Sequence, residues 1–276
     1  MFEFLSNYLL RFSLLAFRFY MRSFVPIFLT ILFLVAGEGS IFFPDWRLFF
    51  ILASLFAGVV ALFTWQLRFL PTLLLTFLVV FAGISFFLFA FPKDSDNAQF
   101  NIIPHLFIAL WALALWLTLE ERVRASRGVP PALNRIQAII FTVMFLFFAA
   151  SSSALGAPFF IDGWVLLLMI ALCESIAIFI RLEGHTRVSA LTVPNRRILL
   201  YSIVTAMLIS EAFLAMSFWP FAPLTVAAVL ITIDYALANL FIRLFRSNLR
   251  IIDVLKVSAV FCIVLTALLI RGPWLP

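Results

Sequence analysis

The chain carries few charged residues for its length. Of its 276 residues, 12% are charged, 65% are hydrophobic and 17% are aromatic, and the mean hydropathy is +1.18. A soluble domain carries about 25% charged and about 45–50% apolar residues. The polar side chains are too few to cover a water-facing surface, and the apolar content is too high for a disordered chain. The composition therefore predicts an all-α, polytopic helical bundle in a membrane.

Signatures of catalysis and metal binding are also missing. The sequence contains no GxxxxGK[ST] phosphate loop, no HExxH motif and no GxSxG nucleophile elbow. Cys173 and Cys262 lie in apolar segments and indicate no disulfide framework. His105 and His185 fall on opposite predicted sides of the membrane, so they cannot share a metal or a haem. We therefore predict no catalytic residue, no metal and no cofactor, and we favour a protein that is not an enzyme.

Long apolar runs are the dominant feature of the chain. A transmembrane helix needs about 20 mostly apolar residues. Nine runs approach that length, and Pro- and Gly-containing turns separate several of them. They are Phe24 to about Phe43, Leu48–Trp65, Phe69–Phe91, Ile102–Leu119, Ile136–Leu155, Trp164–Ile180, Ile198–Trp219, Ala222–Ile242 and Ile251–Ile270. The first run is interrupted by Glu38 between two glycines, which we interpret as a turn at the outer face.

The basic residues are distributed unevenly between the predicted loops. With the N-terminus in the cytoplasm, most arginines lie on the inner side, and Arg47, Lys93 and Arg271 lie on the outer side. An excess of Lys and Arg in cytoplasmic loops is typical of membrane proteins. Several tryptophans fall at predicted outer ends, as expected for an interfacial aromatic belt. The pattern predicts a multi-pass protein of the cytoplasmic (inner) membrane, with its N-terminus inside and its C-terminus outside.

Residues 1–23 have an amphipathic pattern. Asn7, Arg11, Arg18 and Arg22 are spaced by four, seven and four residues, which places them on one stripe of a helix. We predict a helix lying in the membrane interface, with Arg11, Arg18 and Arg22 contacting lipid head groups. The alternative is that this segment extends the first span.

Residues 24–276 are predicted to form one transmembrane domain. Similar Arg-containing ends suggest repeated two-helix hairpins at 69–119, 136–181 and 198–245, followed by a final span at 251–270. A shared requirement for arginine at the inner boundary is an equally good explanation of this similarity.

Three carboxyl groups lie deep inside predicted spans. Charge at bilayer depth is costly, so such residues are functional candidates by default. We expect Glu174, Glu211 and Asp234 to meet in one interior cavity, with Asn239 extending the polar network. Low polarity favours the protonated form of a carboxyl group, which would suit a proton-coupled pathway. The alternative is interhelical hydrogen bonding that only stabilises the bundle.

Asp253 and Lys256 stand three residues apart near the start of the last predicted span. This spacing predicts an ion pair at the membrane interface rather than a site.

The leading hypothesis for function is a small permease or carrier whose pathway is lined by the intramembrane carboxyl groups. A non-catalytic membrane subunit or scaffold, packing beside partner membrane proteins, is the first alternative. An integral-membrane lipid-modifying enzyme is the second alternative. The lipid bilayer is the expected partner, and nucleic acid is excluded because no long soluble segment presents a basic face. The composition does not identify a substrate.

Overall fold

The structure is a computed structural model that describes much of the chain beyond residue 23. The described residues are 24–39, 41, 51, 74–83, 102–126, 129, 132–155, 163–188, 193–218, 222–246 and 250–271. Within these ranges nearly every residue is helical and none is in a β-strand. The predicted all-α class is therefore confirmed for the described part of the chain.

The described residues form eight helical segments. In chain order they are α1 (Phe24–Gly39), α2 (Leu74–Gly83), α3 (Ile102–Ser126), α4 (Leu133–Leu155), α5 (Gly163–Val188), α6 (Asn195–Ser217), α7 (Pro223–Phe245) and α8 (Ile251–Arg271). Prolines define two of the starts: Pro223 occupies the first turn of α7, and Pro194 precedes α6 in an extended conformation. Proline suits both places, because the first backbone N–H groups of a helix have no intrahelical acceptor.

Four of these helices are long and apolar enough to cross a membrane. Their apolar segments are Leu133–Ser153, Gly163–Thr186, Asn195–Ser217 and Pro223–Phe245. They indicate a membrane protein. The count of nine spans, the orientation and the hairpin repeat stay predictions. The second predicted span, apart from residue 51, and the predicted interfacial helix with Arg11, Arg18 and Arg22 lie outside the described residues.

Two helices continue well past the ends of their predicted spans, at Leu119 and Ile180. Helix α3 continues to Ser126 and helix α5 to Val188. The polar residues that suggested a loop after α3 are held by contacts instead. The buried carboxylate of Glu121 accepts a hydrogen bond from the backbone N–H of Ala132 at 3.1 Å and pairs with Arg124 at 3.3 Å. These contacts close the corner between α3 and α4.

Helices pack both against their neighbours in the chain and against helices that are distant in sequence. The most extensive contact joins α5 to α6, and the next joins α4 to α7. Helix α5 also contacts both α4 and α7. The buried residues of α7 include Ala227, Ile231, Asp234, Ala238 and Ile242, whose spacing of three and four residues makes one helical stripe. Asp234 therefore lies on the buried face of α7, a helix that packs against α4, α5 and α6.

Helices α2 and α3 approach closely at Gly83. A side-chain carbon at Gly83 would lie 2.5 Å from Nε1 of Trp111, which is too close for any real contact. The Trp111 indole N–H donates to the carbonyl of Val79 at 3.1 Å, and the ring is buried. Only glycine leaves room for the ring at this position.

The segment around Glu38 is helical, so our interpretation of it as a turn is wrong. Glu38 is helical, and its Oε2 is 2.6 Å from Nδ1 of His105 on α3. An interhelical contact to a polar partner stabilises this carboxyl group.

Candidate functional site: a buried charge cluster beside a pocket

Helix α5 places an acid and a base on one face. Glu174 and Arg181 are seven residues apart, which is close to two helical turns. Glu174 and Asp234 each lie eleven residues after the first residue of their helices, Gly163 and Pro223. Both helices begin after a predicted outer turn, so the two acids lie at similar depth.

Arg181 joins the two helices electrostatically. Its guanidinium donates a hydrogen bond from Nη1 to Oδ2 of Asp234. The side chain of Arg181 is 4% exposed, and that of Asp234 is 0% exposed. Removing two charges from water is costly, and a buried pair offsets this cost only when the charges are close and hydrogen-bonded. The contact satisfies one carboxylate oxygen of Asp234.

Glu174 completes a cluster of three ionisable groups. It is fully buried and lies close enough to interact electrostatically with both Asp234 and Arg181. Three carboxyl oxygens of the cluster have no hydrogen-bond partner among the described residues: both oxygens of Glu174 and Oδ1 of Asp234. If both acids were ionised, the cluster would carry one uncompensated negative charge. A proton on one carboxyl group would make it neutral.

A pocket of about 260 Å³ opens beside this cluster. Helices α4, α5 and α7 line it, and Arg181 belongs to both the pocket and the cluster. The other polar and aromatic lining residues are Asn134, Gln137 and Phe141 on α4, and Tyr235 and Asn239 on α7. The side-chain amide of Asn239 donates to the carbonyl of Tyr235 at 2.9 Å. The pocket therefore combines amides, a phenol and a guanidinium with apolar walls.

The structure brings together some of the predicted site residues and not others. Glu174 and Asp234 share the cluster, and Asn239 forms a wall of the adjoining pocket. Glu211 is exposed on the surface of α6, so it does not enter the interior cavity that we expected for three acids.

The predicted interfacial pair is only partly described. Lys256 is exposed on α8, whereas the side chain of Asp253 lies outside the described part. Their ion pair stays a prediction.

Sequence reasoning missed Arg181. We treated it as a marker of the inner boundary, because arginines gather there in membrane proteins. Its spacing of seven residues from Glu174 was the available signal, since that spacing puts both on one helical face. Gln137 was also missed; its amide nitrogen lies 2.6 Å from Nε2 of His185 on α5. No periodicity in the sequence distinguishes this glutamine from a lipid-exposed one.

The described residues offer little for metal binding. No group of three or more His, Cys, Asp and Glu side chains with suitable proximity occurs within them. The cluster has two carboxyl groups and an arginine, and a guanidinium repels a cation. Its chemistry therefore suits proton binding and anion contact.

No family model, no curated protein and no solved structure matches the chain.

Proposed function

We propose that the protein is a small membrane carrier whose substrate pathway passes the pocket between α4 and α7. One observation carries the proposal: Glu174, Arg181 and Asp234 are buried together, and Arg181 also faces a pocket. A purely structural Arg–Asp pair has no need of a second buried carboxyl group beside it. A carrier uses such a group to bind a proton in one conformation and release it in another.

The charges suggest how coupling would work. Arg181 and Asp234 neutralise each other, so a proton on Glu174 keeps the whole cluster neutral. A movement that draws Arg181 from Asp234 towards Glu174 would release that proton. Any substrate that contacts Arg181 in the pocket would favour one arrangement over the other. A ligand shifts a conformational equilibrium only through such a difference in affinity.

Access to the pocket from the two sides of the membrane tests this proposal without a known substrate. We would replace Cys173 and Cys262 with alanine, introduce Asn239→Cys, and label vesicles of either orientation with a membrane-impermeant maleimide. A carrier exposes the pocket to each side in turn, so labelling from both sides is expected. Adding Glu174→Gln should change the ratio of the two labelling rates, because the variant cannot exchange the proton.

Two controls make the result specific. Asn195→Cys, at the exposed first residue of α6, should be labelled from one side only. Glu211→Gln removes an exposed carboxyl group outside the cluster, so it should leave both labelling rates of Asn239→Cys unchanged. Labelling of Asn239→Cys from a single side would overturn the carrier and favour a membrane subunit.

A further inference from the structure

We infer that the pocket between α4 and α7 binds the anionic head group of an amphiphile, with a phosphate or carboxylate beside Arg181. This inference rests on the proposed function, because it names the substrate class of the same site. It follows from the charge of the lining, the depth of the pocket and the direction in which the pocket opens.

The lining favours an anion. Arg181 is the ionisable cation of the pocket, and none of the described lining residues is a carboxylate. A guanidinium has five N–H donors in a planar fork that matches a phosphate or carboxylate. Asp234 accepts from Nη1, so other donors of Arg181 can serve a ligand. The amides of Asn134, Gln137 and Asn239 supply further donors around it.

The surroundings are also basic at one end of the pocket. Arg246 follows the lining residue Ile242 by one helical turn and is exposed. It lies close enough to His185 for an electrostatic interaction, and His185 contacts Gln137 in the pocket. Basic pockets between transmembrane helices at the level of the head groups bind anionic lipids.

The depth of the lining residues separates a polar end from an apolar end. Asn134 is the second residue of α4, and Ile242 lies three residues before the end of α7. Since both line the pocket, the start of α4 and the end of α7 lie at the same end of it. Phe141 and Tyr235 lie further into the spans. They are 45% and 58% exposed, although they belong to apolar helices. The pocket therefore opens sideways, where a lipid tail could lie against the two aromatic rings.

The cluster behind Arg181 couples this anion to a proton. An anion beside Arg181 competes with Asp234 for the guanidinium and adds negative charge near Glu174. A proton on Glu174 relieves that repulsion. Anion binding and proton binding therefore favour each other, and such coupling is reciprocal.

Binding of defined lipids to the full chain in detergent tests the inference. The probe is phosphatidylglycerol with a fluorescent acyl chain, displaced by unlabelled phosphatidylglycerol, by phosphatidylcholine or by inorganic phosphate. We expect phosphatidylglycerol to displace the probe at a concentration about tenfold lower than phosphatidylcholine does. The head group of phosphatidylglycerol has a net negative charge, whereas the choline cation of phosphatidylcholine compensates its phosphate. Displacement by inorganic phosphate would show that the head group suffices, whereas its failure would show that the tail is needed. Both results support an anion site, and they distinguish a free anion from a lipid.

Variants assign the binding to the pocket. Asn134→Leu combined with Asn239→Leu should weaken phosphatidylglycerol binding about tenfold or more, because two donors to a charged group are lost. Asn195→Leu, an exposed position outside the pocket, should not change it. Glu174→Gln, which holds the group neutral, should bind at least as tightly as the native chain. Arg181→Gln alone leaves the buried Asp234 without its partner. We therefore combine Arg181→Gln with Asp234→Asn, and we expect this double variant to lose phosphatidylglycerol binding.

Equal displacement by the two lipids, or equal loss in Asn195→Leu and the pocket variant, would overturn the inference. Failure of the carrier proposal gives a different result. Labelling of Asn239→Cys from one side, with selective lipid binding intact, would overturn the carrier and support the anion site.

Discussion

Arg181 is the residue on which the buried cluster depends, because it is the cation between two acids. Replacing it with alanine leaves Asp234 buried without its partner. Breaking a buried pair in this way costs about 3–5 kcal/mol. We expect Arg181→Ala to lower the free energy of unfolding by this amount in detergent, measured by thermal or denaturant unfolding.

A double-mutant cycle separates the pair from the loss of packing. Arg181→Ala with Asp234→Ala should be less destabilising than the sum of the two single changes, because neither charge then remains unpaired. Arg197→Ala, an exposed arginine at the start of α6, is the matched control and should change stability by less than about 1 kcal/mol. Strictly additive effects of Arg181→Ala and Asp234→Ala would contradict the pairing.

At this scale the sequence identified the acids but not their partners. Glu174 and Asp234 stand out because a carboxyl group within an apolar run is rare and can be recognised from the sequence alone. Glu211 stands out equally, yet it faces outward. The face of a helix that meets its neighbours is decided by the packing of other helices. Arg181 was hidden because arginine near a span end has an ordinary explanation in membrane insertion.

At the scale of elements, glycines show how closely two helices approach. Gly83→Ala would place a carbon 2.5 Å from Nε1 and 2.9 Å from Cε2 of the buried Trp111. The ring cannot yield easily, since its N–H is bonded to the carbonyl of Val79. Overpacking of this kind costs about 1–3 kcal/mol. We expect the melting temperature in detergent to fall accordingly.

Two other glycines provide graded controls for this substitution. Gly184→Ala would meet only the flexible Cδ1 of Leu133 at 2.8 Å, so a smaller loss is expected. Gly163→Ala meets nothing within 4 Å and should leave the melting temperature nearly unchanged. An equal effect of all three substitutions would mean that the contact with Trp111 does not limit the approach of α2 and α3.

The existence of the described helices was predictable from the sequence, but two of their ends were not. Long apolar runs predict helices because lipid leaves the backbone no other partner. The charged ends of α3 and α5 broke that pattern and suggested loops. Glu121 shows why the helix continues: its carboxylate accepts from the Ala132 backbone across the corner. Such a contact needs the next helix in place, so local sequence does not reveal it.

At the scale of the whole molecule, the pairing of α4 with α7 is the feature that creates the site and could not be predicted. A pattern of hairpins predicts contacts between consecutive helices. The pocket instead forms between α4 and α7, which are separated in sequence by two other helices. Apolar faces of similar width permit several arrangements in lipid, where no hydrophobic driving force distinguishes them. The buried ion pair between Arg181 and Asp234 holds α5 beside α7, because only close contact compensates both charges, and α4 packs against both of these helices.

The same charge pattern determines the orientation that we predict for the whole chain. Arg124 and Arg135 lie at the corner between α3 and α4, and Arg197 and Arg243 lie at the start of α6 and the end of α7. Alternating helices place all four at one end of the bundle, which positive-inside bias assigns to the cytoplasm.

A reporter active only in the cytoplasm should therefore function when fused to the N-terminus and fail when fused to the C-terminus. Replacing Arg196 and Arg197 with glutamine should weaken this preference, whereas replacing the outer Lys93 should not. Two active termini would contradict the predicted odd number of spans.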